Sequence, residues 1–340
     1  MEHVSLGQTG LQVSRLAFGC SSFGSTDWMP WALPEEDALP IYRRAFDLGI
    51  NFFDNADSYS TGLAEQIFGN VLKTLGIPRD TVVIATKVFG AMGPDVNQRG
   101  LSRKHIRHAV EDSLRRLGTD YIDLYQIHRL DLATPAEELL VTLDDLVREG
   151  KVLYLGASSM YTWQFARLQE LASANGLTRF VTMQNKYNLL YREEEREMIP
   201  YCINQLVGLI PYSPLARGLL TGSRRRGTRR SQVVRDFTRK EDEDIVSRVI
   251  DIAERRGAEP SEIALSWLLG RPGVVAPIIG ATSPNHMDGA VRALDIQLSQ
   301  TERDELENLY QPQNPQLDRN VSPSHNDAAS AALDVARLWR

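Results

Sequence analysis

Apolar residues recur along this chain in two alternating rhythms. Runs such as "INFFD", "TVVIATKVF", "YIDLYQIH", "KVLYLGASS", "RFVTMQN", "VGLIPYS" and "GVVAPIIG" are apolar at most positions. Runs of this kind predict parallel strands covered on both faces. Between them lie segments with apolar residues three and four apart. In "LPEEDALPIYRRAFDLG" these are Leu39, Tyr42, Ala45 and Phe46, followed by a glycine stop, which predicts an amphipathic helix. "SRKHIRHAVEDSLRRLG" predicts a helix capped by Ser102. Further helices are expected in "AEQIFGNVLKTLG", "TPAEELLVTLDDLVREG", "WQFARLQELASANG", "REEEREMIPYCINQ" and "PSEIALSWLLG".

With "RLAFG" as the first strand, eight strands alternate with helices, and "VSLGQTGLQVSR" adds short strands around a glycine turn. Eight units in 340 residues predict a (β/α)8 TIM barrel with an N-terminal β-hairpin cap. An open doubly wound sheet would ordinarily carry G-x-G-x-x-G after its first strand; "GCSSFG" stands there instead. Residues 1–310 are expected to form one barrel domain and 311–340 a C-terminal extension. That tail ends in "DAASAALDVARLWR", where Ala332, Val335, Leu338 and Trp339 space out as an apolar stripe. After the seventh strand comes a charged insertion, "TGSRRRGTRRSQVVRDFTRKEDED".

Composition narrows the function classes. A net charge of -6 argues against a nucleic-acid partner. No apolar run approaches the roughly 20 residues that span a bilayer, and "MEHVSLGQTG" lacks the marks of a signal peptide. A cytoplasmic protein without a membrane partner is the expectation. Two cysteines, Cys20 and Cys202, suggest neither a disulfide framework nor a metal site.

The chemistry lies where polar residues interrupt apolar strands. Asp54 ends the second strand and Tyr59 follows it; Lys87 ends the third and His128 the fourth. In a barrel, successive strand ends converge on one mouth. A lysine there is costly unless its ammonium is paired, and Asp54 offers the partner. The cation would then lower the Tyr59 phenol from its ordinary value of about 10, making it a proton donor. His128 would orient a carbonyl oxygen. Singly, each has a plainer reading: a turn cap for Asp54, a solvent-reaching Lys87, a core His128 and a packed Tyr59.

Taken in order, "NFFDNADSYS", "IATKV", "GTDYIDLYQIHR", "KVLYLGASS", "MQNKYNLL", "IPYSPLARGLLTG" and "PIIGATS" resemble the blocks of the aldo-keto reductases, NADPH-dependent (β/α)8-barrel oxidoreductases. The resemblance runs from "VSLGQTG" to "ALDIQLS", and "YREEEREMIP" and "GASS" look most like bacterial members acting on assorted aldehydes and ketones. It implies reversible reduction of a small carbonyl substrate with NADP(H), by a monomer or homo-oligomer and without a metal. It places a catalytic tetrad on Asp54, Tyr59, Lys87 and His128. It further implies that Ser158, Ser159 and Gln184 hold the nicotinamide carboxamide and that Tyr212 stacks on the ring. Ser213, Leu215, Arg217 and Gly218 would follow the pyrophosphate, and Gly280, Thr282, Ser283 and His286 would lie near the adenosine 2'-phosphate.

The chain departs from the family at three places. Many relatives carry asparagine where Ser159 stands. A glutamate and an asparagine that contact adenine are replaced by Gly289 and Ala290, and the usual basic residue for the 2'-phosphate is missing. Arg224 and Arg225 of the charged insertion are therefore candidate guanidinium partners for that phosphate. For the substrate pocket, Phe23, Trp28, Trp31, Phe89 and Arg129 are expected at the mouth. Two rival readings are an NADPH-binding regulatory sensor and a barrel lyase forming a Schiff base on Lys87.

Overall fold

Eight parallel strands follow one another in chain order around a curled sheet. They are β3 (Ala17–Gly19), β4 (Phe52–Asp54), β5 (Val83–Val88), β6 (Ile122–Ile127), β7 (Val152–Ser158), β8 (Phe180–Gln184), β9 (Gly208–Leu209) and β10 (Ile278–Gly280), with β10 paired to β3. The structure is a computed structural model and describes residues 1–222 and 239–315. Closure comes between β9 and the approach to β10. There Leu209 N donates to Gly273 O at 3.1 Å, Val275 N to Leu209 O at 2.8 Å and Ile278 N to Pro211 O at 2.8 Å. A closed ring leaves no strand edge unpaired. The expected (β/α)8 barrel is the fold.

Two apolar layers explain why the strands read as nearly continuous hydrophobic runs. Residues two apart in a strand share a face. The inward set includes Ala17, Phe52, Val83, Ala85, Leu124, Ile210 and Ile278, which form one cluster inside the ring. The outward set, such as Phe18, Phe53, Ile84, Tyr125 and Leu155, packs against the helices. The predicted hairpin is present as β1 (His3–Ser5) and β2 (Gln12–Ser14). Leu6 and Val13 of this unit join the inner cluster, so the hairpin seals the end at which the strands begin. Polar residues are left for the opposite rim.

The helices follow the periodicity of the sequence. The helix Glu35–Asp47 buries Ala38, Ile41, Tyr42 and Ala45, and Ser102 Oγ caps the helix Arg103–Leu117 by accepting from His105 N at 3.3 Å. One expected helix divides in two. "REEEREMIPYCINQ" forms a tight turn at Glu193–Glu195 and then the helix Met198–Asn204, because Glu193 and Glu194 turn inward to polar partners. The end of the charged insertion forms the helix Lys240–Arg256. Arg224, Arg225 and the apolar stripe of the tail lie outside the described residues. Among the described residues, no helix is long and apolar enough to cross a membrane.

Gly156 sits in β7 beside Gln126 of β6 and Thr182 of β8. A Cβ there would come within 2.5 Å of Thr182 Oγ1 and 2.8 Å of Gln126 Cγ. Gly156→Ala is therefore expected to lower stability by about 1–3 kcal/mol, as overpacked cores do. Chemical denaturation reads this directly; an unchanged midpoint would mean that the inner ring yields without cost.

Candidate active site

Each inner ladder of apolar side chains ends in a polar one at the rim: Phe52 leads to Asp54, Ala85 to Lys87, and Leu124 to Gln126 and then His128. Lys87 is fully buried, so it does not reach for solvent. Its ammonium has three donors, and each meets an oxygen: Asp54 Oδ2 at 2.6 Å, the Asn55 carbonyl at 2.7 Å and the Tyr59 hydroxyl at 3.3 Å. Burial pulls the Lys87 pKa down, but attraction to Asp54 and Tyr59 outweighs it and the net shift is upward. The lysine is a cation. Asp54 uses its other oxygen, Oδ1, to accept from Gln126 Nε2 and Gln184 Nε2, both at 2.9 Å.

Tyr59 reaches this cation from a strained loop. The two residues that follow it, Ser60 and Thr61, are left-handed at φ 51° and 52°, a conformation that non-glycine residues rarely adopt. Ser60 Oγ accepts from Ser25 N at 2.8 Å, tying the loop to the segment after β3. The Tyr59 phenol is raised above its ordinary value: burial drives it up, Lys87 pulls it down and Asp54 pushes it up again. This corrects the expectation of a lowered phenol. Lys87 reduces the upward shift without reversing it.

The His128 ring meets the Tyr59 ring edge to face, with centroids 5.8 Å apart. Burial and the charges of Lys87 and Arg129 hold the imidazole well below its ordinary pKa. A neutral histidine thus stands beside a protonated phenol. Trp28 completes this side, its ring centroid 6.4 Å from that of Tyr59. Phe23 does not join them. It is fully buried and packs on Phe18 and Tyr42, because the tight turn Cys20–Ser22 after β3 sends its ring inward. Phe89 is half-buried against the core, and Trp31 and Arg129 are also half-buried; Arg129 lies near enough to His128 and Tyr212 to act on both electrostatically.

The strand ends β7, β8 and β9 bring Ser158, Ser159, Gln184 and Tyr212 to the same rim. Ser158 Oγ donates to the Gln184 carbonyl at 2.7 Å and lies 3.1 Å from Ser159 Oγ, and Ser159 lies close enough to Tyr212 to favour its ionised form. Ser159 is left-handed, φ 53°. The loop that follows Tyr212 is curled by left-handed residues at Ser213, Ala216, Arg217 and Gly218, with Leu215 half-buried and the Arg217 side chain exposed. Past β10, the stretch Gly280 to Ser283 leads into the helix Pro284–Arg292. Ser283, its N-cap, makes no side-chain cap bond, and Thr282 N donates to His286 Nδ1 at 3.3 Å.

These donor sets fit a pyridine dinucleotide. Hydroxyl and amide groups beside a half-buried aromatic ring suit a carboxamide-bearing ring, and a helix N-terminus with an unused cap hydroxyl suits a phosphate. Sequence reasoning missed Gln126 and Asn185. Gln126 was signalled by its place two residues before His128, on the same inner face of "YIDLYQIH". Asn185 Oδ1 accepts from Ser159 N at 2.9 Å; nothing in the sequence alone marks that contact.

Comparison with known proteins adds identity to this geometry. Residues 15–311 match the Aldo/keto reductase family. The chain is 42% identical over 337 residues to versiconal hemiacetal acetate reductase of Aspergillus parasiticus, covering 92% of this chain and 98% of that one. An aldo-keto reductase of Metarhizium robertsii is 44% identical, with 92% of each chain covered. A putative aryl-alcohol dehydrogenase of Schizosaccharomyces pombe is 41% identical, with 90% and 95% covered. These relatives are fungal, whereas the sequence blocks pointed to bacterial members. The chain belongs to the aldo/keto reductase family, whose members generally use a nicotinamide cofactor, and is an oxidoreductase acting on carbonyl groups.

Proposed function

We propose that this enzyme reduces an aldehyde or ketone to an alcohol with NADP(H), Tyr59 supplying the proton. One observation carries the reading: a fully buried Lys87 ammonium bridges Asp54 at 2.6 Å and the Tyr59 hydroxyl at 3.3 Å. When bound, the nicotinamide supplies a hydride. The chain does the rest. Tyr59 keeps its proton at neutral pH because burial disfavours phenolate. As negative charge grows on the carbonyl oxygen, Tyr59 donates and Lys87 stabilises the phenolate left behind. His128, neutral, donates a hydrogen bond that orients the same oxygen. In the oxidative direction Tyr59 is the base.

The same contacts disfavour a Schiff base on Lys87. An amine must be unprotonated to attack a carbonyl, and here the ammonium donates to three oxygens. For the substrate, Trp28 beside Tyr59 offers an aromatic wall, and the aryl-alcohol name of one relative agrees with it. Aromatic aldehydes are the first class to assay, with Arg129 available to an acidic substituent. Lys87→Met and Tyr59→Phe are each expected to lose about 10²–10⁴-fold in carbonyl reduction while cofactor affinity persists. Near-normal turnover by either variant in a cofactor-oxidation assay would remove the assignment.

A neutral His128 has its own consequence. An imidazolium there would lie in a buried site beside Lys87 and Arg129, so protonation is disfavoured and the pKa falls below the ordinary value. NMR of the imidazole nitrogens is expected to show no titration of His128 between about pH 6 and 8. A midpoint in that window would contradict the role.

Preference for NADP(H) over NAD(H) needs cationic partners for the 2'-phosphate. Thr282, Ser283 and His286 offer hydroxyl and imidazole groups only, and Arg224 and Arg225 are the proposed guanidinium donors. Replacing both by alanine is expected to weaken NADPH binding about tenfold or more, and NADH binding hardly at all. Cofactor titrations at two salt concentrations test this. Equal effects on both cofactors would leave the arginines without that role.

A further inference from the structure

The turn Glu193–Glu195 carries two buried carboxyl groups, and they face different surroundings. Glu193 is bound by Arg196 Nε at 2.8 Å, the Tyr310 hydroxyl at 2.7 Å and Gln313 N at 2.8 Å. Glu194 turns toward the barrel rim. Its Oε2 accepts from Asn185 Nδ2 at 2.6 Å, and Tyr191 lies close enough to favour the carboxylate. Asn185 Oδ1 in turn accepts from Ser159 N at 2.9 Å. Two hydrogen bonds therefore join a buried carboxyl to a residue placed at the cofactor site, running from Glu194 through Asn185 to Ser159.

The direction of these bonds matters. A carboxylate is acceptor-only, so it can bind the Asn185 amide only through Nδ2. This fixes Oδ1 toward Ser159 N, whose N–H donates to it at 2.9 Å and, less closely, to the Gln184 carbonyl at 3.3 Å. A protonated carboxyl can also donate, and could then take Oδ1 for itself. The flipped amide would aim its NH2 at the Ser159 N–H, donor against donor. Ser159 is left-handed at φ 53°, a conformation that needs support from its surroundings. Asn185 is not a substitute for the amide that relatives carry at position 159, because both ends of its side chain are already engaged.

We infer that Glu194 is a positioning residue whose carboxylate form locks Asn185 and thereby holds Ser159 in its cofactor-binding conformation, making cofactor affinity depend on pH. The inference rests on the proposed nicotinamide site. Burial is the main influence on Glu194 and raises it to about 7; Asn185 lowers it, Glu193 raises it and Tyr191 lowers it. From the helix Met198–Asn204, Cys202 faces the same carboxyl, and Tyr212 does so from the loop after β9. Lys186, brought by burial to about 8, lies over the Tyr191 ring at 4.9 Å. Since the carboxylate is the competent form, affinity is full above the Glu194 pKa and falls as pH drops through it.

The test is NADP+ binding, followed by protein fluorescence from pH 8 to pH 6, for wild type, Glu194→Gln and Asn185→Ala. Wild-type Kd is expected to rise about tenfold across that range, the factor for one proton closing the competent state. Both variants should lose this rise, because a glutamine permits either amide orientation at every pH and an alanine removes the link. The ratio of variant to wild type at each pH cancels titration of the 2'-phosphate and of Lys186. A flat wild-type profile, or the wild-type slope retained in either folded variant, overturns the role of Glu194 and leaves the nicotinamide reading standing. Absence of NADP+ and NAD+ binding by wild type at pH 8 would overturn that reading and the inference with it.

Discussion

A lysine ammonium with no access to water governs the upper half of this barrel. Burying such a charge without partners costs several kcal/mol, so every neighbour of Lys87 is constrained in what it can be. Asp54 supplies the opposite charge, the Asn55 carbonyl and the Tyr59 hydroxyl take the remaining protons, and Asp54 itself needs Gln126 and Gln184. Gly156 belongs to the same constraint, since a larger residue would crowd Gln126. A buried ion pair contributes little to stability relative to apolar packing. Its retention at the open end of the ring makes sense as chemistry.

Strain is distributed accordingly. Ser60, Thr61, Ser159, Ser213, Ala216 and Arg217 are left-handed without being glycine, and all follow strand ends at the rim. At the sealed end, where Leu6 and Val13 plug an apolar ring, Leu206 is also left-handed, φ 56°, just before β9 and close to Gly7 of the hairpin turn. Residues in this conformation persist only where their surroundings over-determine them, as Ser25 does for Ser60 and Asn185 for Ser159. The asparagine that the family resemblance implies at position 159 would tolerate this conformation better than serine, so Ser159 relies more on external support.

Much of this was legible in the sequence, for definable reasons. Eight apolar runs separated by helical periodicity specify alternation, and alternation with this length specifies a closed ring. Asp54, Lys87 and His128 stood out because each ends an apolar run. Gln126 did not, since it lies one inner step below the end of its strand. Phe23 shows the opposite failure: an aromatic residue after a strand suggests a pocket wall, but the tight turn Cys20–Ser22 intervenes and sends the Phe23 ring inward, which the sequence does not tell. The three glutamates of "YREEEREMIP" fell within an expected helix. Two of them are buried, because their partners, Asn185 and Tyr310, come from distant parts of the chain.

The direction of the Tyr59 shift depends on a competition that no motif encodes. Position alone suggested that the cation would win and lower the phenol. In the folded protein Lys87 already shares its charge with Asp54, so the pair is nearly neutral as seen from Tyr59, and burial decides the outcome. This suits a proton donor better than a lowered pKa would. A phenol that ionised too early would present negative charge to a carbonyl oxygen that is itself becoming negative. In the proposed reaction, holding the proton until that oxygen becomes basic, with Lys87 in place for the phenolate that results, reserves the electrostatic stabilisation for the transition state, where it would accelerate the reaction.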